Sequence, residues 1–215
     1  MKNTTQTVLQ PQQHGIIDKA IISFNTNKKV VLIIAAAVLV AAAGYTAYNH
    51  SKKQAYQDQW SKLFGAELSF VSSKEQSLTP LENFVSANPK TGATVYAKLT
   101  LGNAYYQMQD YAKAKDYFNQ VSASDNKELA ALADVSAIAC DLASKDYAST
   151  ITLSDAFAAK YPTHFALAQV LQYKALAQEL AGNAKEAKES YTKVSMQYPN
   201  TYYSAFADLR LKDLK

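Results

Sequence analysis

LGNAYYQMQDYAKAKDYF, running from Leu101 to Phe118, is the stretch whose reading decides the fold. Leu101 and Tyr105 lie one helical turn apart. After a break at Gln109–Asp110, Tyr111, Ala114 and Phe118 again follow helical spacing. The surrounding segment, Ala97–Val121, has two counterparts further along. ADVSAIACDLASKDYASTITLSDAF covers Ala133–Phe157, and VLQYKALAQELAGNAKEAKESYTKV covers Val170–Val194. Each is a helical run, a short polar or small-residue break, and a second helical run. The breaks fall at Gln109–Asp110, Lys145–Asp146 and Gly182–Asn183. The matching residues after them are Ala114, Thr150 and Ala187, spaced by 36 and 37. The second and third units also close alike, with KYPT around Pro162 and QYPN around Pro199. A helix–turn–helix unit repeating in the mid-thirties signals an array, in which each unit buries its apolar face only against its neighbours.

The period and these residues resemble tetratricopeptide repeats. In that resemblance Gly102 and Ala114 mark the place where the two helices of a unit touch, small residues allowing close approach. The usual early tryptophan is absent from all three units, and the first lacks a closing proline. The middle unit has Ile138 and Thr150 at the small positions, which implies looser packing there. The expected fold is all-α: one N-terminal transmembrane helix, then a tetratricopeptide-type α-solenoid with a C-terminal capping helix. The repeats are expected over 95–201, as units of about 95–130, 131–167 and 168–201, with the cap at 202–215. Arrays need a terminal unit with a polar outer face. In TYYSAFADLRLKDLK, Tyr202, Phe206 and Leu209 are expected inward, with Asp208, Arg210, Lys212 and Asp213 outward.

Toward the N-terminus, residues 49–94 read as a helical lead and a first helical pair. SKKQAYQDQWSKLFGAELSFVSSKEQ contains no proline and carries Trp60, Leu63, Phe64, Leu68 and Val71 as an apolar stripe. PLENFVSANP follows, with Pro80 at a position a helix start tolerates. Before the lead lies the apolar run VVLIIAAAVLVAAAGYTA, Val30–Ala47, within a stretch free of Asp, Glu, Lys and Arg from Val30 through Asn49. That is close to the roughly 20 residues needed to cross a bilayer. Lys28–Lys29 and Lys52–Lys53 flank it, and Tyr45 and Tyr48 suit one membrane interface. The 30–48 segment is therefore expected to be an anchor. A cleaved signal peptide would have a shorter apolar region after a shorter leader, although Ala41–Ala43 could mimic its cleavage site. A buried core helix is the third reading. Lysines balance across the segment, so charge leaves the orientation open. Within the tail, 1–29, IIDKAIISF sets Ile17, Ala20, Ile21 and Phe24 on one helical face, which suits a surface-lying helix or a mere extension of the anchor.

Charge excludes one class of partner. The net charge of +4 divides into +5 for residues 1–53 and −1 for the remainder, which holds a single arginine, Arg210. A nucleic-acid footprint would need a basic face on the folded part. One cysteine, Cys140, rules out an internal disulfide and a cysteine-based zinc site, and it reads as a buried, inert thiol. His14, His50 and His164 are scattered; His164 reads as a solvated loop residue, and Asp141 and Asp146 as surface or turn residues. No phosphate-binding loop, metalloprotease motif or nucleophile elbow is present. The sequence carries no expectation of enzymatic activity, cofactor, metal or small-molecule substrate.

A short tail, one span, a helical lead, three to four repeats and a capping helix together resemble one family, the YfgM-like ancillary subunits of the SecYEG translocon. The ending SAFADLRLKDL is similar to that family's closing helix. The resemblance implies a protein of the bacterial inner membrane, with a cytoplasmic N-terminus and a periplasmic repeat domain. It implies a non-enzymatic adaptor that helps handle secretory or envelope proteins, with a SecYEG-type translocon and a membrane-anchored periplasmic chaperone of the PpiD type as partners. The alternative is a structural scaffold in envelope or outer-membrane assembly. Repeat arrays bind along the concave face lined by the first helix of each unit. The candidates there are Tyr96, Asn103, Tyr106 and Gln107, then Leu132, Val135 and Leu142, then Gln169, Gln172, Tyr173 and Glu179. Aromatic surface and amide groups with little charge suit a polypeptide, and packing between units is the competing role for the tyrosines. Some tetratricopeptide proteins clamp a terminal carboxylate with lysine and asparagine; Asn103 matches, but Leu99 stands where the basic residue would be.

Overall fold

A computed structural model of the chain describes Gly15, Lys19 and residues 27–72, 77–89 and 91–214. Among these residues the regular structure is entirely helical. The helices are α1 (Lys28–Ser72), α2 (Thr79–Ala87), α3 (Gly92–Gln107), α4 (Tyr111–Ser122), α5 (Lys127–Ala143), α6 (Tyr147–Lys160), α7 (Leu167–Leu180), α8 (Ala184–Gln197) and α9 (Tyr202–Asp213). The chain forms two units, Met1–Gln57 and Asp58–Lys215, with the boundary inside α1. The anchor and the lead helix read separately from the sequence thus share one helix.

In the first unit, α1 is long and apolar enough to cross a membrane, and none of its most apolar window is buried. Val40 is 74% exposed. A core helix would remove this surface from water, so the core-helix reading is set aside. Apart from Lys19, residues 16–24 lie outside the described residues, as does any amphipathic helix there.

The second unit is built from one repeated local solution. Each of the three predicted breaks puts a single residue in the left-handed region: Gln109 at φ 62°, Lys145 at 66° and Gly182 at 84°. The next amide reaches back to close the preceding helix, from Asp110 to the Tyr105 carbonyl, Asp146 to Asp141 and Asn183 to Gln178, at 2.8–2.9 Å. This pattern satisfies carbonyls that a helix end leaves unpaired. The same residues open the second helix of each pair. Asp110 accepts from the Lys113 amide and Asp146 from the Ser149 amide, each at 3.1 Å. Gln109 and Lys145 hold a conformation that only glycine adopts freely, so the local bonds carry the turn twice where glycine carries it once.

Successive helices pack as neighbours from α3 to α9, and α7 also touches α5 and α9 directly. The first helices of the pairs therefore share one face. Leu81, Leu101, Phe118 and Val121 fill the core of the first part; Ile138, Phe157 and Val170 fill the middle; Tyr191, Val194 and Ala207 fill the end. Gly102 and Ala114 are both buried, and Phe118 lies across Gly102. In the middle pair Ile138 and Thr150 are fully buried, and a crevice of about 200 Å³ opens beside Ile138, Leu153 and Phe157.

Four sequence expectations are corrected here. The stripe on α1 splits: Leu63 is buried and Trp60 half-buried, whereas Phe64, Leu68 and Val71 are exposed, because the packed face is rotated toward Ala66 and Phe70. On α9 the inward residues are Ser204 and Ala207, flanked by Tyr203, Phe206 and Leu211; Tyr202 and Leu209 face out, and Arg210 turns in to Glu179. Asp141 is buried at 3% exposure, paired with Lys115 Nζ at 2.5 Å and accepting from Ser149 Oγ at 2.6 Å. His164 is half-buried, edge-on to Phe157 at 5.6 Å and tilted beside Phe165 at 4.4 Å.

Candidate functional site

The candidate residues divide between two hollows on the face of α3, α5, α7 and α9. The first, about 180 Å³, is lined by Asn103, Tyr106, Phe118, Ser136, Ala139 and Tyr173. It brings together side chains from the first and third units, far apart in sequence. Burial, and then the neighbouring Tyr173, pushes the Tyr106 hydroxyl above its ordinary pKa. It is therefore a neutral donor at any physiological pH. Its ring also meets Tyr111 edge-on at 5.3 Å.

The second hollow, about 360 Å³, lies between α7 and α9. Gln169, Gln172 and Tyr173 form one wall with Leu176, and Tyr202, Tyr203 and Phe206 form the other. Gln169 Nε2 donates to the Tyr173 hydroxyl at 2.6 Å, which leaves that hydroxyl's own proton available. Tyr173 belongs to both hollows.

Other candidates are placed differently. Tyr96 stands edge-on to Trp60 at 5.0 Å and remains 40% exposed. Gln107 is exposed at the end of α3 and lines neither hollow. Glu179 is taken up within the fold: Tyr191 donates to it at 2.9 Å, and the Arg210 Nε at 3.1 Å. The Arg210 bond, opposed by burial and assisted by Tyr191, holds the Glu179 carboxyl below its usual range. From α5, Val135 is buried and Leu132 and Leu142 are half-buried; Ser136 and Ala139 reach the first hollow instead. Sequence reasoning missed those two, and it missed Tyr202, Tyr203 and Phe206 as groove residues because it assigned α9 to capping alone. The Tyr202–Tyr203 doublet at the start of α9 was the available signal.

Neither hollow is lined by a charged residue. Among the described residues no cluster of His, Cys, Asp or Glu is arranged to hold a metal ion. Burial, and then the Asp141 charge, pushes the Cys140 thiol up to about 12, so it stays protonated and unreactive. What the face offers is aromatic surface, amides and neutral hydroxyls.

A family model described as a tetratricopeptide repeat-like domain matches residues 23–166. A second, described as a tetratricopeptide repeat, matches residues 169–201. The chain belongs to the tetratricopeptide repeat-like domain family, whose modules serve protein interaction. No curated protein matches the chain.

Proposed function

We propose that this protein is a membrane-anchored, non-enzymatic adaptor whose extracytoplasmic repeat domain binds proteins at a Sec-type translocon. Residues 30–48 form a single-pass anchor in the bacterial inner membrane, with the N-terminus cytoplasmic and the repeats periplasmic. SecYEG-type subunits and a membrane-anchored chaperone of the PpiD type are its partners. The observation that carries the reading is the neutral, aromatic face shared by the first helices, on a chain that also holds an unburied apolar helix. Such a face suits polypeptide and offers nothing to a phosphate or a metal. The test is a photoreactive residue at Tyr106 of the full chain in native membranes, with mass spectrometry of what it captures. Translocon subunits, a periplasmic chaperone or exported chains support the adaptor; only unrelated envelope proteins or self-crosslinks refute it.

One observation favours the scaffold as second reading. Phe64, Leu68 and Val71 form an exposed apolar stripe on α1 at i, i+4 and i+7. A stripe of that kind suits a helix-to-helix contact. Self-association lost on substituting Leu68 with lysine would support the scaffold.

A further inference from the structure

The middle pair carries both halves of a contact that it does not make within itself. Its crevice, about 200 Å³, has an apolar floor of Ala137, Ile138, Leu153, Ala156 and Phe157. The sequence accounts for the opening. Ile138 and Thr150 stand where the first pair has Gly102 and Ala114 and the third has Ala175 and Ala187. The bulkier residues leave α5 and α6 with the slightest contact of the three pairs. At the polar edge Asp134 accepts from Lys160 at 3.1 Å, so the lining carries no net charge. A cavity of about 150 Å³ with walls of this kind takes up a benzene ring. The crevice therefore has room for one aromatic side chain.

Such a side chain stands beside it. Phe165, in the loop from α6 to α7, is 79% exposed. His164 separates it from the crevice wall: the imidazole lies 4.4 Å from the Phe165 ring and 5.6 Å from that of Phe157. The His164 amide donates to the Tyr161 carbonyl at 3.2 Å, and the Leu167 amide to the His164 carbonyl at 3.0 Å. These bonds hold the loop, so Phe165 is presented outward and does not fold back into its own crevice. A side chain already fixed in place loses little entropy on docking.

We propose that the protein pairs with a second copy of itself, the Phe165 ring of each copy seated in the α5–α6 crevice of the other. Ring and crevice adjoin in one chain, so a single two-fold axis satisfies both at once, as an isologous interface requires. Aromatic anchors in pockets carry most of the energy of such contacts. No unpaired charge is drawn in: the loop Tyr161–Ala166 contains no Asp, Glu, Lys or Arg, and Asp134 and Lys160 neutralise each other. Two anchor rings are few for a permanent dimer, so the pair is reversible. Ala137 and Ile138 meet the crevice from the side of α5 opposite Ser136 and Ala139, so pairing leaves the hollow at Tyr106 open.

The test places a photoreactive phenylalanine analogue at position 165 of the full chain in native membranes. The expected adduct is a second copy, joined at the peptides that carry Ile138 or Phe157. Capture of lipid or of other proteins without a self-adduct overturns the proposal. Sedimentation of the full chain in detergent at rising concentration gives the strength of pairing. A monomer–dimer equilibrium is expected; species larger than the dimer overturn the two-fold arrangement, and a monomer at every concentration overturns the pairing. Phe165→Ala removes the ring, and Ala156→Trp, at an exposed position on the rim, fills the crevice. Each weakens pairing by about a hundredfold or more, because every dimer loses two buried rings. An equimolar mixture of the two variants pairs more strongly than either alone, since one ring and one open crevice still meet. That gain requires both variants to be folded, and its absence, with both melting temperatures at the wild-type value, overturns the proposal. Ala156→Leu replaces Ala156→Trp in the mixture if the larger residue lowers the melting temperature. Leu68→Lys leaves this pairing unchanged, which separates it from association through the stripe on α1.

Discussion

Replacing Gly102 tests whether the array is held by close helix contact within the pair. A Cβ built on Gly102 would stand 2.6 Å from Phe118 Cε1 and 2.8 Å from its Cδ1. Carbon atoms in contact ordinarily sit about 3.5–4.0 Å apart. Phe118 is 1% exposed, so its ring has no free space to enter. Forcing extra carbon into a packed core costs about 1–3 kcal/mol. Removing a mid-helix glycine returns about 1 kcal/mol of propensity, so two effects oppose. The clash wins: Gly102→Ala is expected to destabilise by about 1 kcal/mol and Gly102→Val by about 3 kcal/mol. For a unit of this size that is about 2–4 °C of melting temperature per kcal/mol. Thermal unfolding followed by circular dichroism reads it, and Phe118→Leu in the Gly102→Ala background is expected to recover part of the loss. A rise in melting temperature for Gly102→Ala would refute the reasoning, since it would mean that propensity dominates and the helices do not meet at this residue.

Other perturbations separate the polar contacts from the packing. Asp141→Ala strands the Lys115 ammonium beside a buried site, and a loss of about 3 kcal/mol in urea unfolding is expected, with Asp141→Asn milder because it can still accept from Ser149. Loss of less than 1 kcal/mol would show the pair to be solvated, as an exposed pair is. Glu179 has a folded-state pKa below its unfolded value, so its contribution is complete above the ordinary carboxylate range and is lost as pH falls through the lowered value. Melting temperature should therefore fall more steeply on acidification in wild type than in Glu179→Gln; parallel profiles would show that the Arg210 contact does not couple to stability. The Cys140 thiol, buried and pushed up to about 12, should resist maleimide at neutral pH until denaturant is added. Rapid labelling of the native chain would place it in an opening that the fold does not contain.

The fold was legible because local chemistry repeats. The breaks at Gln109–Asp110, Lys145–Asp146 and Gly182–Asn183 combine a residue in the left-handed region with a polar residue that starts the next helix. Turn chemistry of this kind is short-range, so single-sequence reading captures it. Burial direction was harder. On α9 the expected inward residues were off by about one position, because Tyr202 and Tyr203 are equally apolar and only the packing partner decides between them. Asp141 looked like a turn residue for a similar reason. Its partner Lys115 lies 26 positions earlier, on α4, and no local pattern announces it. Tyr96, Tyr106 and Tyr173, picked out from the sequence for their place on the first helices, are exposed or half-buried in the fold. The division of the candidate residues between two hollows depends on which helices touch, and that is a long-range fact.

The polar contacts between helices bear on why the array has one register. Many buried positions are alanine, among them Ala97, Ala114, Ala133, Ala175, Ala187 and Ala207. Small side chains permit close approach but present shallow relief, so neighbouring registers differ little in packing energy. Several junctions add a directional contact. Tyr105 donates to Glu82 at 2.5 Å, joining α3 to α2. Asp141 joins α4, α5 and α6 through Lys115 and Ser149, and Asp134 joins the same three through Ser122 and Lys160. Lys174 reaches Asp155 at 2.6 Å, from α7 to α6, and Glu179 ties α7 to α8 and α9 through Tyr191 and Arg210. A slip by one residue would unpair every member of such a set at once. Buried charge pairs add little net stability but can select one arrangement among several. In this array, then, alanine sets the spacing between helices and the polar contacts between them set their register.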